Sequence, residues 1–527
     1  MPAWIFLGPK LPKQSSMECK DSLVKNIKIP QPLKKMNEIF QANGYEAYLV
    51  GGAVRDMIRG KEASDWDVAT NAQPEQVVQI FRKVIPTGIA HGTVTVLFMG
   101  HSIEVTTYRT EADYSDGRHP DSVNFAGTIE EDLSRRDFTM NAIAASLEDG
   151  HLVDPFVGQE DIKNKTIRTV GNPYDRFNED GLRPIRAIRF ATQLGFSITP
   201  ETMAAIPASL EKTASISVER FREEFIKILK SPEPSVGLKL LEETGILKLF
   251  IPELVACKNV EQADCRGFHQ FDVLDHLFYA CDGAPAHKEL VRLAALLHDI
   301  GKPKAKRSGS LPDGRPTITF YNHEKYSEEI SQNLMTRLKF SKAETATVCH
   351  LVKNHMFHYE SNWSDAAVRR FLFRVTPESL EDLFDLRMAD VYGMTRSAPV
   401  LKEGPWSSNL LELQDRITEL SSQQQVLGLK DLAINGKDLM AAGIPAGKQL
   451  GTILNQLLDT VLDDPSQNNR QQLLTIATKL AEKYCNWKTQ GELWELQVEN
   501  YEDEQLNVPM ELSVLPWTEC VSLFFQF

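Results

Sequence analysis

The chain has 527 residues, of which 42% are apolar and 25% charged; that is enough for about three or four domains and excludes wholesale disorder, a collagen-like body or a single coiled coil. Its net charge of −14 excludes nucleic-acid binding by global attraction and leaves that role to a local basic patch. No apolar run reaches the roughly 18 residues of a membrane helix, the N-terminal MPAWIFLGPKLPK lacks the layout of a signal peptide, and the seven scattered cysteines form no CxxC pair, so the expectation is a cytoplasmic protein without a disulfide framework or zinc ribbon.

Residues 1–28 are rich in Pro, Lys and Ser, show no sustained period and read as a disordered lead. From 29 to 165 helical patterns alternate with strand candidates at Tyr48–Val50, Asp65–Ala69, Thr93–Phe98 and Ser102–Thr107. Beyond about residue 170, Gly and Pro punctuate amphipathic helices almost exclusively, as in Glu219–Leu229, Val273–Ala280, Glu289–His298 and Glu328–Leu338. After Lys488 there are eight acids and no Lys or Arg, which marks 488–527 as an acidic extension. The expected class is α+β: a small mixed-sheet head (29–165), then a mostly α-helical neck (166–262), body (263–400) and tail (401–487).

The first chemical constellation is Leu49-Val50-Gly51-Gly52-Ala53-Val54-Arg55-Asp56, a short strand running through two glycines into a helix. Glycines let a backbone approach phosphates, the helix start offers N–H groups, and Arg55 adds charge; a plain strand-to-helix turn explains the glycines equally well. Ser64-Asp65-Trp66-Asp67-Val68-Ala69 follows. Alternation on a strand sends Asp65 and Asp67 to one face, where the pair repels itself unless cations intervene. Two Mg²⁺ ions suit that pair and suit in-line phosphoryl transfer, while a solvated edge strand is the bland alternative. Glu104, on the next strand, is a candidate third carboxylate.

The run LVGGAVRDMIRGKEASDWDVATNAQPEQV resembles the head of the class II nucleotidyltransferases, which include CCA-adding, A-adding and CC-adding enzymes and bacterial poly(A) polymerases. PTGIAHGTVTV (86–96) is similar to the CCA-adding branch. Ser134-Arg135-Arg136-Asp137-Phe138-Thr139-Met140-Asn141-Ala142 matches the ribose and phosphate motif, and DPFVGQEDI (154–162) the turn between head and neck. The resemblance implies that Gly51, Gly52, Arg55 and Arg136 bind the incoming nucleotide and that Asp65 and Asp67 hold Mg²⁺, with Glu104 beside them.

Next comes Asn178-Glu179-Asp180-Gly181-Leu182-Arg183-Pro184-Ile185-Arg186-Ala187-Ile188-Arg189-Phe190, whose arginines and apolar residues make a basic stripe and a buried stripe on one helix. Asp180 and Arg183, one turn apart, would offer an acceptor beside donors. Cytosine and adenine each present an amino group beside a bare ring nitrogen and fit that edge; uracil and guanine reverse it. The window resembles the family's base-template motif, which implies that Asp180 and Arg183 read the base and that Arg186 and Arg189 contact the nucleotide. Pro184 departs from the family's usual leucine, and an interior proline would break the helix unless it restarts near Gly181. Tyr108 to Pro120 has the polar, Gly and Pro content of a mobile loop and resembles the flexible loop of CCA-adding enzymes.

In the helical half, His276, His298, Asp299, His323, His355 and Asp390 form a spaced series, and HDIGKP (298–303) ends an apolar helix. Imidazoles and carboxylates suit a divalent transition metal, with His350 and His358 as competing ligands. The set resembles the HD metal-dependent phosphohydrolase superfamily, which implies an accessory phosphatase or cyclic phosphodiesterase; a vestigial domain kept as a tRNA-binding scaffold is the alternative. The tail, with Gly443-Ile444-Pro445-Ala446-Gly447-Lys448, resembles the family segment that contacts the tRNA elbow. Together these resemblances imply addition of CCA to the tRNA 3′ end from CTP and ATP, with the acceptor stem and elbow as contacts and no membrane partner. An A-adding enzyme, a poly(A) polymerase, or an HD phosphohydrolase whose head only binds nucleotide are the competing readings. The oligomeric state is not legible.

Overall fold

The computed structural model describes residues 23–63, 65–86, 88–89, 92–112, 122–262, 270–310, 316–397, 406–422, 428–485, 487–490 and 493–496. Parts of the PTGIAHGTVTV run (87, 90, 91), residues 113–120 of the loop expected to be mobile, and most of the acidic extension lie outside the described residues.

The head carries the strands β1 (Ala47–Val50), β2 (Asp67–Thr70), β3 (Val84–Ile85), β4 (Thr93–Phe98) and β5 (His101–Thr107), a separate hairpin of β6 (Arg109–Ala112) with β7 (Ser122–Phe125), then β8 (Ala144–Ser146) and β9 (Leu152–Val153). Seven of them form one sheet in the order β3-β4-β5-β2-β1-β8-β9, in which β2 and β5 run parallel and the other neighbours antiparallel. Period-two alternation turns Val94 and Val96 of β4 and Ile103 and Val105 of β5 into the core, and so leaves Glu104 on the opposite face. Helix α1 (Gln31–Ala42) buries Leu33, Met36, Asn37 and Phe40 at the spacing of one helical face. Short helices α2 (Gly52–Ile58), α3 (Pro74–Ile80) and α4 (Ile129–Ser134) connect the strands, and α4 is capped by Thr128 and Glu131 in a reciprocal capping box.

Two local expectations are corrected here. Asp65 is not on a strand: β2 begins at Asp67, and Asp65 sits in a bend closed by the Trp66 indole N–H donating to Ala63 O at 2.8 Å. The lead is not wholly unstructured either, since Ile27 N donates to Gly150 O at 2.9 Å and Leu152 N to Lys25 O at 3.0 Å, seating 25–27 on the sheet edge.

After α5 (Gly158–Asn164), the neck begins with α6 (Pro173–Glu179) and α7 (Arg183–Leu194) and continues through α8 (Pro200–Ala208), α9 (Leu210–Ala214) and α10 (Val218–Leu229). The chain breaks at Asp180-Gly181, so Pro184 falls in the first turn of α7, where its missing N–H costs nothing. Gly181 is held tightly against α9: a Cβ there would lie 2.4 Å from Lys212 O. The body is helical apart from the hairpin Arg307–Ser310 with Pro316–Thr319, and a two-residue parallel pair (Thr166–Ile167 with Ser197–Ile198) spans the neck. One buried apolar cluster runs from Ile29 to Leu420, while the tail packs its own around Leu432–Ala481. Arg369 Nε joins the two by donating to Leu462 O at 2.7 Å. At the start of the expected acidic extension, Trp487–Gln490 pairs with Leu493–Leu496 as a hairpin. Among the described residues no helix is long and apolar enough to cross a membrane.

Two glycine replacements should differ in sign. Gly181→Ala forces its methyl into the Lys212 carbonyl and should cost about 1–3 kcal/mol, whereas Gly451→Ala, with nothing within 4 Å in the helix Lys448–Asp463, should stabilise by up to about 1 kcal/mol. Thermal unfolding midpoints of the two variants against the parent check both.

Candidate active site and metal centre

Strand β1 delivers the chain to Gly51, whose φ of +72° lies in the left-handed region that favours glycine. Its missing side chain also leaves room for function: a Cβ would lie 3.2 Å from Arg136 Nη1 and 3.6 Å from Asp67 Oδ2. Asp67 sits beside Glu104 in the parallel register of β2 and β5, so two carboxylates share one face of the sheet mouth. Asp65 reaches the same place from its bend. Desolvation by surrounding protein, then the Glu104 and Asp65 charges, push Asp67 up to about 6 against the opposing pull of Arg136. Such crowded carboxylates take up a cation readily, which makes them a donor set for divalent metal. Arg136 is aimed by Asp132 (Nη2 to Oδ2, 3.1 Å), and Arg55 by Asn141 (2.9 Å) and Asp56 (3.0 and 2.9 Å).

In the neck, the basic stripe of α7 is mostly buried. Arg183 is 7% exposed and tied to Glu179, to Arg176 O at 3.1 Å and to Arg135 O at 3.2 Å. Arg186 pairs with Asp137 at 2.6 Å, and Arg189 with Glu224 of α10 at 2.5 Å. The guanidiniums of Arg55, Arg186 and Arg189 surround the Phe190 ring, at 5.4, 5.4 and 3.9 Å from its centre. Asp180 is extended between the two helices, its main-chain O accepting from Arg183 N (3.0 Å), its Oδ1 from Leu182 N (2.9 Å) and its Oδ2 from Arg220 (2.7 Å).

The six body residues converge from five separate stretches of chain. His276 lies on the helix Val273–Gly283, His298-Asp299 just beyond Glu289–Leu297, His323 opens His323–Arg337, His355 closes Lys342–Asn354 and Asp390 lies on Leu380–Thr395. Asp299 Oδ2 faces His276 Nε2 (3.4 Å) and His298 Nε2 (3.3 Å), while Oδ1 faces His323 Nε2 (3.0 Å) and His355 Nε2 (3.6 Å). Asp390 Oδ1 completes the first set, 3.4 Å from His276 and 3.6 Å from His298. His298, His323 and His355 each set Nδ1 against the carbonyl three residues back, at 2.8, 2.8 and 2.7 Å, which directs Nε2 inward. The Nε2 atoms then meet at 3.1 Å (His276, His298) and 3.2 Å (His323, His355), so each pair could hold a cation. Burial alone would raise Asp299, but the Lys302 ammonium 2.6 Å away and His298 hold it well below the usual carboxylate range. The competitors stand apart: His350 bonds Val375 O and His358 is exposed beside Glu360.

Sequence reading missed the residues that hold these groups in place, namely Asp132, Asp137, Asn141, Glu179, Arg220, Glu224 and Lys302. Asp137 and Asn141 lie inside the quoted phosphate motif and Lys302 inside HDIGKP, so that spacing was their signal; Arg220 and Glu224 carried none beyond an amphipathic helix.

A glycine turn opening onto sheet carboxylates and arginines, set on an α-helical neck, body and tail, fits a nucleotidyltransferase. Family profiles match the poly A polymerase head domain at 47–168, the RNA and SrmB-binding site of polymerase A at 195–257 and tRNA nucleotidyltransferase domain 2 at 318–477. The CCA-adding enzyme of Levilactobacillus brevis is 34% identical over 443 residues, 82% of this chain and 94% of its own length. That of Enterococcus faecalis is 32% identical over 463 residues, 86% and 98% of the two chains. The crystal structure of the Bacillus stearothermophilus CCA-adding enzyme in complex with CTP superposes with a TM-score of 0.64 at 29% identity, covering 86% of this chain and 98% of that one. The chain belongs to the CCA-adding enzyme family.

The Asp137–Arg186 pair gives head and neck a pH dependence. Burial alone would raise Asp137, but Arg186 above all, then Arg183 and Asn141, lower it from 3.8 to about 2. Its folded value lies below its unfolded one, so its stabilisation is complete above about pH 4 and is lost as pH falls toward 2. Asp137→Asn should cost about 3 kcal/mol at pH 7 by leaving Arg186 without its partner, and should flatten acid unfolding across that window, as read by circular dichroism.

Proposed function

We propose that this protein builds CCA onto the 3′ end of tRNA from CTP and ATP without a nucleic-acid template. The observation that carries the reading is the match to CCA-adding enzymes along nearly their whole length, with Gly51, Asp67 and Arg136 converging at the head of this chain. Enzymes of this family generally use divalent metal ions. Our assignment is Mg²⁺ held by Asp65 and Asp67 with Glu104 alongside; bound there, it lowers the pKa of the tRNA 3′-hydroxyl and neutralises triphosphate oxygens.

The chain's own residues supply position. Gly51 and Gly52 let the triphosphate lie against the backbone, and Arg55 and Arg136 hold its oxygens at an angle fixed by Asn141 and Asp132. Arg186 and Arg189 add positive charge behind them, clamped by Asp137 and Glu224. Asp180 accepts a hydrogen bond from the amino group of cytosine or adenine, and Arg183 donates to the ring nitrogen with the N–H groups that Glu179 and the carbonyls do not take. Uracil and guanine would set a carbonyl against Asp180, at a cost of several kcal/mol. The tRNA acceptor stem and elbow lie along neck, body and tail.

A second activity is favoured by the paired Nε2 atoms of the body. We assign the HD set to divalent metal: His276, His298, Asp299 and Asp390 would hold one ion, and Asp299 with His323 and His355 would hold another. Bound there, such ions would supply the Lewis acid and activated water of a metal phosphohydrolase.

Purified protein with Mg²⁺, CTP and ATP should extend a tRNA transcript lacking CCA by all three nucleotides; extension confined to a transcript already ending in CC would make it an A-adding enzyme. Asp65→Ala and Asp67→Ala should each reduce addition by at least about a thousandfold, and undiminished addition would remove the metal assignment. For the body, plasma emission spectrometry on the purified chain should find about two transition-metal equivalents, and Asp299→Ala should lose both while CCA addition persists.

A further inference from the structure

Helix α10 contributes nothing to the head, yet it holds the neck by two oppositely charged residues one turn apart. Arg220 reaches Asp180 (2.7 Å) and Glu224 reaches Arg189 (2.5 Å). The four-residue spacing puts both on one face of the helix. Their neighbours turn elsewhere: Glu219 pairs with Lys339, and Arg222 bonds the Lys339 carbonyl and stacks on Phe340. The inward pair is also the sheltered one. Side-chain exposure is 17% for Arg220 and 15% for Asp180, against 40% for Glu219 and 59% for Lys339.

Asp180 needs such a partner. It lies between α6 and α7 with extended backbone, so no helix fixes its direction. Its two oxygens each have one donor, Leu182 N on Oδ1 and Arg220 Nη2 on Oδ2. A carboxylate oxygen carries two lone pairs, so each still accepts one further hydrogen bond without releasing what it holds. The arrangement therefore fixes where the remaining lone pairs point. Leu182 N is a main-chain donor that only a proline would remove, at the cost of the local backbone, which leaves Arg220 as the half that a side-chain replacement adjusts.

We infer that Arg220 is a specificity-determining positioning residue: by gripping one oxygen of Asp180 it aims the other lone pairs at an amino group of the incoming base, and so sets the preference for CTP and ATP over UTP and GTP. This rests on the reading of Asp180 as a base reader. Arg220 touches neither base nor phosphate; it acts through Asp180. Without it the carboxylate rotates about its side-chain bonds, and a rotated carboxylate no longer penalises a carbonyl-bearing base consistently.

The test is single-nucleotide incorporation into a tRNA transcript lacking CCA, with kcat/KM for CTP and for UTP measured on the full-length protein and on Arg220→Ala, Arg220→Lys, Asp180→Ala and Arg222→Ala. Arg220→Ala should lower the CTP-to-UTP ratio by about tenfold or more, mainly through a higher KM for CTP, with Arg220→Lys restoring part of it because an ammonium still reaches Oδ2. Arg222→Ala, on the other face of α10, should keep the parent ratio. If Arg220→Ala and Arg220→Lys keep the parent ratio while Asp180→Ala loses it, the role of Arg220 is overturned and the Asp180 reading stands. If Asp180→Ala also keeps the ratio, the Asp180 reading itself fails. Should Arg220→Ala not fold, Arg220→Lys decides: a ratio equal to the parent's overturns the inference, and a reduced ratio in a protein with the parent's melting temperature supports it.

Discussion

The ion pair between Asp137 and Arg186 is the contact on which head and neck depend. Asp137 belongs to the segment that also positions Arg136 for the head, and Arg186 to the helix that follows the base-reading turn, so a single buried contact relates phosphate position to base position. Its surroundings reinforce it: Arg176 donates to Ser134 O at 3.0 Å, Arg183 to Arg135 O, and Val170 N to Asp137 O at 3.2 Å. A seam of this kind is costly to desolvate and costlier to break, because each carboxylate left alone would be buried and charged. The fold thereby ties the geometry of catalysis to its own stability.

The charge balance follows from the same economy. A chain of net charge −14 still gathers arginines around the Gly51 turn and α7 because the arginines come with acids already fitted to them: Asp132 for Arg136, Asp56 for Arg55, Asp137 for Arg186, Glu224 for Arg189. Each acid fixes a guanidinium in one direction, and the donors turned away from it are the ones available to a ligand. Global charge therefore says little about the site, whereas the pairing says a great deal.

Much of this was legible in the sequence for identifiable reasons. Strands β4 and β5 showed clean alternation and were found within a residue of their ends, and the six clustered body residues were marked by HDIGKP and by histidines at the ends of helices. Asp65 was misplaced on a strand because the indole of Trp66 closes a bend that no alternation rule anticipates. The partners of the α7 stripe were not legible because periodicity locates a face without saying what packs on it; Glu224 and Phe190, distant or on the same helix, decide that. Nor was the direction of Asp180, since the break at Gly181 is enforced by the Lys212 carbonyl, a contact visible only in three dimensions.

The carbonyl bonds that orient His298, His323 and His355 have a consequence for folding as well as for chemistry. Their rings are fixed by main-chain atoms within their own segments, so the cluster is set by the ends of those helices. Imidazoles, buried carboxylates and the Lys302 ammonium are thereby packed together at the centre of the helical half. Were a cation to bind there it would find little to rearrange, and its supply would then become a term in the cohesion of the whole helical half, linking how firmly it holds together to the metal content of its surroundings.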